Sequence, residues 1–94
     1  MEVAIARSFI KDIKAAPKPV QLAADAAIKK LIVAESLQAT GLDCTKLEGQ
    51  KKGESYYRIR IGDWRIGIEY INPKVVVLRL LIRGAIYKQF PPRS

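Results

Sequence analysis

Residues 56–83 read YYRIRIGDWRIGIEYINPKVVVLRLLIR. The run predicts three consecutive β-strands, Tyr56–Ile61, Trp64–Ile71 and Val75–Ile82. In the first, Tyr57, Ile59 and Ile61 share one side, and Tyr56, Arg58 and Arg60 share the other, because side chains alternate along a strand. Gly62-Asp63 between two β-rich runs predicts a tight hairpin. That turn sets the register. Ile61 faces Trp64, Arg60 faces Arg65, Ile59 faces Ile66 and Tyr57 faces Ile68. A three-residue turn at Asn72-Pro73-Lys74 then puts Val76, Leu78, Leu80 and Ile82 on the apolar side, with Arg79 and Arg83 on the other. A two-residue turn there would send Arg79 toward the core.

The outcome is a sheet with one apolar face and one face carrying Arg58, Arg60, Arg65, Arg79 and Arg83, with Glu69 as the one acid among them. Opposed like charges destabilise a sheet, so stability does not account for Arg60 beside Arg65. Arginines alternating with apolar residues often mark nothing more than a solvated face. Several converging on one face point further, to a phosphate backbone, since a guanidinium grips phosphate through two parallel hydrogen bonds.

A chain of 94 residues, 49% of them hydrophobic, suits one small domain with one core. No run is long enough to span a membrane, and Arg79 interrupts the apolar stretch 75–82. The start of the chain lacks a charged-then-apolar leader pattern, so a cytoplasmic location is expected. The net charge of +8 is uneven: residues 1–47 hold 7 basic and 5 acidic side chains, and residues 48–94 hold 10 and 4. The surplus sits with the sheet, which favours a polyanionic partner, nucleic acid or acidic protein. The chain has no histidine, so it lacks the usual general base and the commonest metal ligand. No metal site or other cofactor is expected. The lone Cys44 fits a reducing compartment and cannot form a Cys–His pair.

Around the sheet, Glu2–Ala6 alternates and fits an added edge strand. Ser8 is placed to cap a short helix over SFIKDIKAA, which Pro17 and Pro19 stop. Residues Val20–Gln38 form the clearest helix, with Val20, Leu22, Ala23, Ala27, Leu31, Ala34 and Leu37 on one face. Gly41–Ser55 reads as a loop whose Lys46, Lys51 and Lys52 extend the arginine face. After Arg83, Gly84 breaks the strand, Tyr87 follows, Phe90 can pack back on the core, and Pro91-Pro92 ends ordered structure.

From Lys46 onward the chain resembles the RelE/ParE superfamily of bacterial and archaeal toxins. The resemblance rests on KLEG at 46–49, YYRIRIGDWRIGIEY at 56–70, VVVLRLLIRGAIY at 75–87 and the order β-α-α-β-β-β. It implies an α+β fold in which two N-terminal helices pack on one face of a small antiparallel sheet. It also implies the toxin of a type II toxin–antitoxin pair, bound by a cognate antitoxin and, through that complex, to operator DNA. In the RelE branch the activity is cleavage of mRNA on the ribosome by attack of the 2′-hydroxyl on phosphate. In the ParE branch it is inhibition of DNA gyrase. A third outcome is a degenerate homologue that only binds its antitoxin.

Carried over by position, Arg65, Arg83 and Tyr87 are the catalytic set. Arg58, Arg60 and Arg79, with Lys46, Lys51 and Lys52, are the RNA-binding set. Tyr87 would assist by proton transfer or by stacking on a base. The chain departs from the family pattern at Leu81 and Ile82, where many members are polar, and at Glu48 and Gln50, where some carry basic residues. Nothing evident replaces the histidine as a general base.

Overall fold

The computed structural model describes residues 1–91. The stop expected at Pro91-Pro92 therefore runs into residues outside that span. Five strands are present: β1 (Glu2–Ile5), β2 (Cys44–Lys46), β3 (Tyr56–Ile61), β4 (Trp64–Ile71) and β5 (Lys74–Ile82). Helices α1 (Arg7–Ala15) and α2 (Lys18–Val33) follow β1, and α3 (Ala85–Gln89) follows β5. The sheet order is β1-β5-β4-β3-β2.

The α+β class and the helix pair on one face match the sequence expectation. The sheet, however, is mixed, because β1 lies parallel to β5 with Glu2 opposite Lys74 and Ile5 opposite Val77. A strand that reaches the far edge through a helical crossover arrives parallel to its neighbour. The β3–β4 register is the expected one, with Ile61 opposite Trp64, Arg60 opposite Arg65 and Ile59 opposite Ile66.

The β4–β5 connection differs. Ile71 pairs with Lys74, so the turn has two residues, Asn72 and Pro73. An irregularity at Gly67/Ile68 then inserts one residue of β5, Leu78, between the Ile68–Val77 and Gly67–Arg79 pairs. Such a bulge swaps the faces of everything beyond it. Val75 and Val77, rather than Val76 and Leu78, thus point to the core, while Leu80 stays buried and Arg79 stays on the arginine side.

The core lies between that sheet face and α1 and α2. Phe9, Ala24, Ala27 and Leu31 pack against Ile59, Ile66, Ile68, Val75, Val77 and Leu80. The small alanines let α2 approach closely. The helix ends at Val33, earlier than Gln38, and its inner face is Ala24, Ala27 and Leu31, spaced at 3 and 4 residues. Leu22 is consequently 61% exposed, and Leu37 is buried from beyond the helix end. Ser8 does not cap α1; its hydroxyl donates to the Leu78 carbonyl at 2.6 Å.

That contact belongs to a continuous seam. Where β1 stops, α1 takes over the open edge of β5. The Ala6 N–H donates to Val77 O (2.9 Å), and the Leu80 N–H donates to Asp12 Oδ2 (2.9 Å). Backbone polar groups left unpaired there would be costly, which explains a carboxylate at position 12.

Candidate functional site

Alternation in β3 and β4 puts Arg58, Arg60 and Arg65 on the sheet face away from α1 and α2. β2, which the sequence presented as loop, pairs with β3 so that Thr45 lies opposite Arg58. The residue before β2, Asp43, is tied in by its carbonyl, which accepts the Arg60 N–H at 2.9 Å. On the other flank α3 folds back over the same face. Its Tyr87 ring sits above Arg58, with the guanidinium carbon 4.6 Å from the ring centroid.

These elements enclose a cleft of about 240 Å³ lined by Asp43, Thr45, Arg58, Arg60, Arg65 and Tyr87. Three guanidinium groups face one carboxylate, so the cleft is strongly cationic. Arg65 is held at its rim, since Nη1 donates to the carbonyls of Gly62 and Trp64, both at 2.8 Å. Those bonds leave the rest of the guanidinium fork for a ligand.

The structure places the other expected residues differently. Arg79 is drawn aside into an ion pair with Asp12, at 2.7 Å from Nε to Oδ2, and Nη2 reaches Asp12 Oδ1 and Gln89, both at 3.2 Å. Arg83 is exposed at the end of β5, its N–H bonded to the carbonyl of Asp63 at 2.8 Å, and it does not line the cleft. Lys51 and Lys52 are exposed in the 47–55 loop, away from the cleft. Gln50 gives that loop its shape. Its amide donates to Leu47 O (2.7 Å) and Tyr56 O (2.9 Å) and accepts the Tyr56 N–H (2.7 Å).

Lys46 lines a second cleft of about 330 Å³, together with Glu48, Arg58, Tyr87, Phe90 and Pro91. Arg58 and Tyr87 thus stand on the boundary of both clefts. Phe90 roots α3 to the sheet: it packs edge-on against Tyr56, ring centroids 5.6 Å apart, and lies over Gly67. Beside Glu69 and Glu54, the Tyr56 phenol is pushed up, burial being the larger cause. Burial and then Asp43 likewise push up the Cys44 thiol. Among the described residues no three Cys, Asp or Glu side chains gather as a metal site would require.

Sequence reasoning missed Asp43. Nothing marked that acid among its loop neighbours, since its place depends on β2 pairing with β3.

Fold and site together define a small α+β protein with a cationic cleft on the side of its sheet away from the helix pair. The chain belongs to the family of ParE toxins of type II toxin–antitoxin systems, whose model matches residues 3–87. Within the RelE/ParE superfamily it is RelE-like by sequence and by structure. It is 36% identical over 91 residues to Toxin RelE3 of Methanocaldococcus jannaschii, covering 97% of this chain and 100% of the relative. The fold matches a chain of the RelB–RelE antitoxin–toxin complex from Methanococcus jannaschii with a TM-score of 0.77 at 34% identity, covering 94% of this chain and 99% of that one. It also matches a chain of the archaeal RelE–RelB complex from Pyrococcus horikoshii, TM-score 0.69 at 25% identity, covering 88% and 94%.

Proposed function

We propose that this toxin is a RelE-type endoribonuclease that cuts mRNA on the ribosome and is silenced by a cognate antitoxin. The observation that carries this reading is the meeting of Arg58, Arg60, Arg65, Asp43 and Tyr87 in one cleft. A phosphate seated against the three arginines lies beside a carboxylate able to accept a proton. The 2′-hydroxyl of the preceding ribose attacks phosphorus, and Asp43 takes its proton. Fixed guanidinium charges stabilise the phosphorane as its negative charge grows. The bond from phosphorus to the 5′-oxygen then breaks, and that oxygen takes a proton from solvent. The products are a 2′,3′-cyclic phosphate and a 5′-hydroxyl, which restricts the substrate to RNA. Arg83 completes the phosphate grip from the rim. The cleft is shallow and short for holding a long strand alone, which favours an RNA already positioned by the ribosome, in the cytoplasm.

The antitoxin partner is supported by the RelB-bound state of the archaeal relatives and by apolar side chains left open on the helices. Leu22, Ile32 and Val33 are 61%, 51% and 83% exposed, more than a lone helix face requires. Through the antitoxin the pair would reach operator DNA.

A second reading is inhibition of DNA gyrase, favoured by the match to the ParE toxin family. Inducible expression of the chain in a bacterium, with 5′-end mapping of an abundant transcript, separates the two. Discrete cuts within translated regions, lost in Asp43→Asn and Arg65→Ala variants that remain folded, are the expected result. Growth arrest with intact mRNA and blocked supercoiling by purified gyrase would replace the RNase reading, and no arrest would identify a homologue that only binds its antitoxin.

A further inference from the structure

The proposed function uses one cleft, and the structure has two that share a wall. Arg58 and Tyr87 line both. The first is almost wholly polar. The second sets the apolar side chains of Phe90 and Pro91 opposite Lys46 and Glu48. Arg58 covers one side of the Tyr87 ring, yet Tyr87 remains 63% exposed, so aromatic surface is open for stacking. Among the described residues neither Lys46 nor Glu48 is engaged in an ion pair. A strand whose phosphate sits in the first cleft has its neighbouring base within reach of the second.

We propose that the second cleft is a nucleobase subsite that takes a guanine next to the scissile phosphate, stacked on Tyr87 and read by Glu48 and Lys46. This inference rests on the RNA reading above. Aromatic stacking is tolerant of base identity; discrimination must come from the polar pair. A carboxylate offers two acceptors side by side. In single-stranded RNA the Watson–Crick edge is free to meet them. Only guanine presents two adjacent donors on that edge, N1–H and the N2 amino group, with the O6 acceptor next to them for a lysine ammonium. Cytosine and adenine present one amino donor beside a bare ring nitrogen, whose lone pair a carboxylate repels. Uracil presents a single donor between two carbonyls.

The test is the base composition at the cut sites, read by sequencing 5′ ends after induction of the unmodified chain, the Glu48→Gln variant and the Arg65→Ala variant. Guanine next to the cut is expected in excess of the other bases by about fivefold or more, the lower end of what one bidentate base contact discriminates. Glu48→Gln removes one of the two acceptors and is expected to flatten that excess; Lys46→Ala, the second variant, is expected to weaken it as well. Both side chains are exposed, so neither change threatens the core. A guanine excess that survives Glu48→Gln, or cuts without a guanine excess, overturns the subsite while leaving the RNase reading in place. Absence of cuts from the unmodified chain overturns both. Arg65→Ala is expected to lower cutting at every base alike.

Discussion

The ring of Phe90 lies where a side chain on Gly67 would begin. A β-carbon added to Gly67 would stand 2.7 Å from two carbons of that ring. The bare backbone of β4 is therefore a seat for Phe90, and through it for α3 and Tyr87. Gly67→Ala should push the ring off, at a cost of about 1–3 kcal/mol from overpacking. Thermal melting checks the stability loss, and growth arrest should fall with it as Tyr87 leaves Arg58. An unchanged melting temperature would show that α3 is not seated this way.

Arg60 and Arg65 stand directly opposite each other in the β3–β4 pair. If the pair is kept for its ligand, losing one member should not weaken the fold. Arg60→Gln is expected to leave stability unchanged or raise it by up to about 1 kcal/mol, while transcript cutting falls sharply. Chemical denaturation at low and high salt provides the check, since added salt should narrow any gain. A clear loss of stability would mean that the pair is structural.

Asp12 accepts from both the Arg79 guanidinium and the Leu80 backbone. Asp12→Ala leaves a half-buried guanidinium without its partner and a strand-edge N–H without an acceptor. A loss of about 2–3 kcal/mol is expected. Asp12→Asn keeps an acceptor for Leu80 and should lose less. Equal melting temperatures for the two variants would remove the edge-sealing role assigned to this carboxylate.

The Cys44 thiol is raised first by burial and then by Asp43. The native state therefore favours the neutral thiol, and stability from this group is full below the ordinary thiol range. It is lost as pH rises through the raised native value. Alkylation by iodoacetamide, which needs the thiolate, should be slower at pH 8 in the folded chain than in the denatured one. Asp43→Asn should speed the folded-state reaction. Equal rates in folded and denatured chain would contradict the burial.

Much of this architecture was readable where the chemistry is local. The Gly62-Asp63 turn and strict alternation fixed which arginines oppose which. Arg79 reached its expected face through a two-residue turn corrected by a bulge, and a bulge leaves no periodic mark. Its removal from the site depends on Asp12, 67 residues away in sequence. The helix α3 is five residues long, too short to show a period, so Tyr87 carried no structural context. Asp43 illustrates the limit most plainly. An acid among polar loop residues becomes part of a cleft only when β2 pairs with β3.

The seam between the start of the chain and β5 also governs when the protein can exist. β1 has no strand neighbour other than β5, and α1 rests its carboxylate on residues 79 and 80. During synthesis the first strand and helix must wait for almost the last segment to be made. Tyr87 arrives later still. A nascent chain stalled before residue 74 thus has neither a closed sheet nor a cleft, so the ribosome that makes this toxin finishes its work before the product can act.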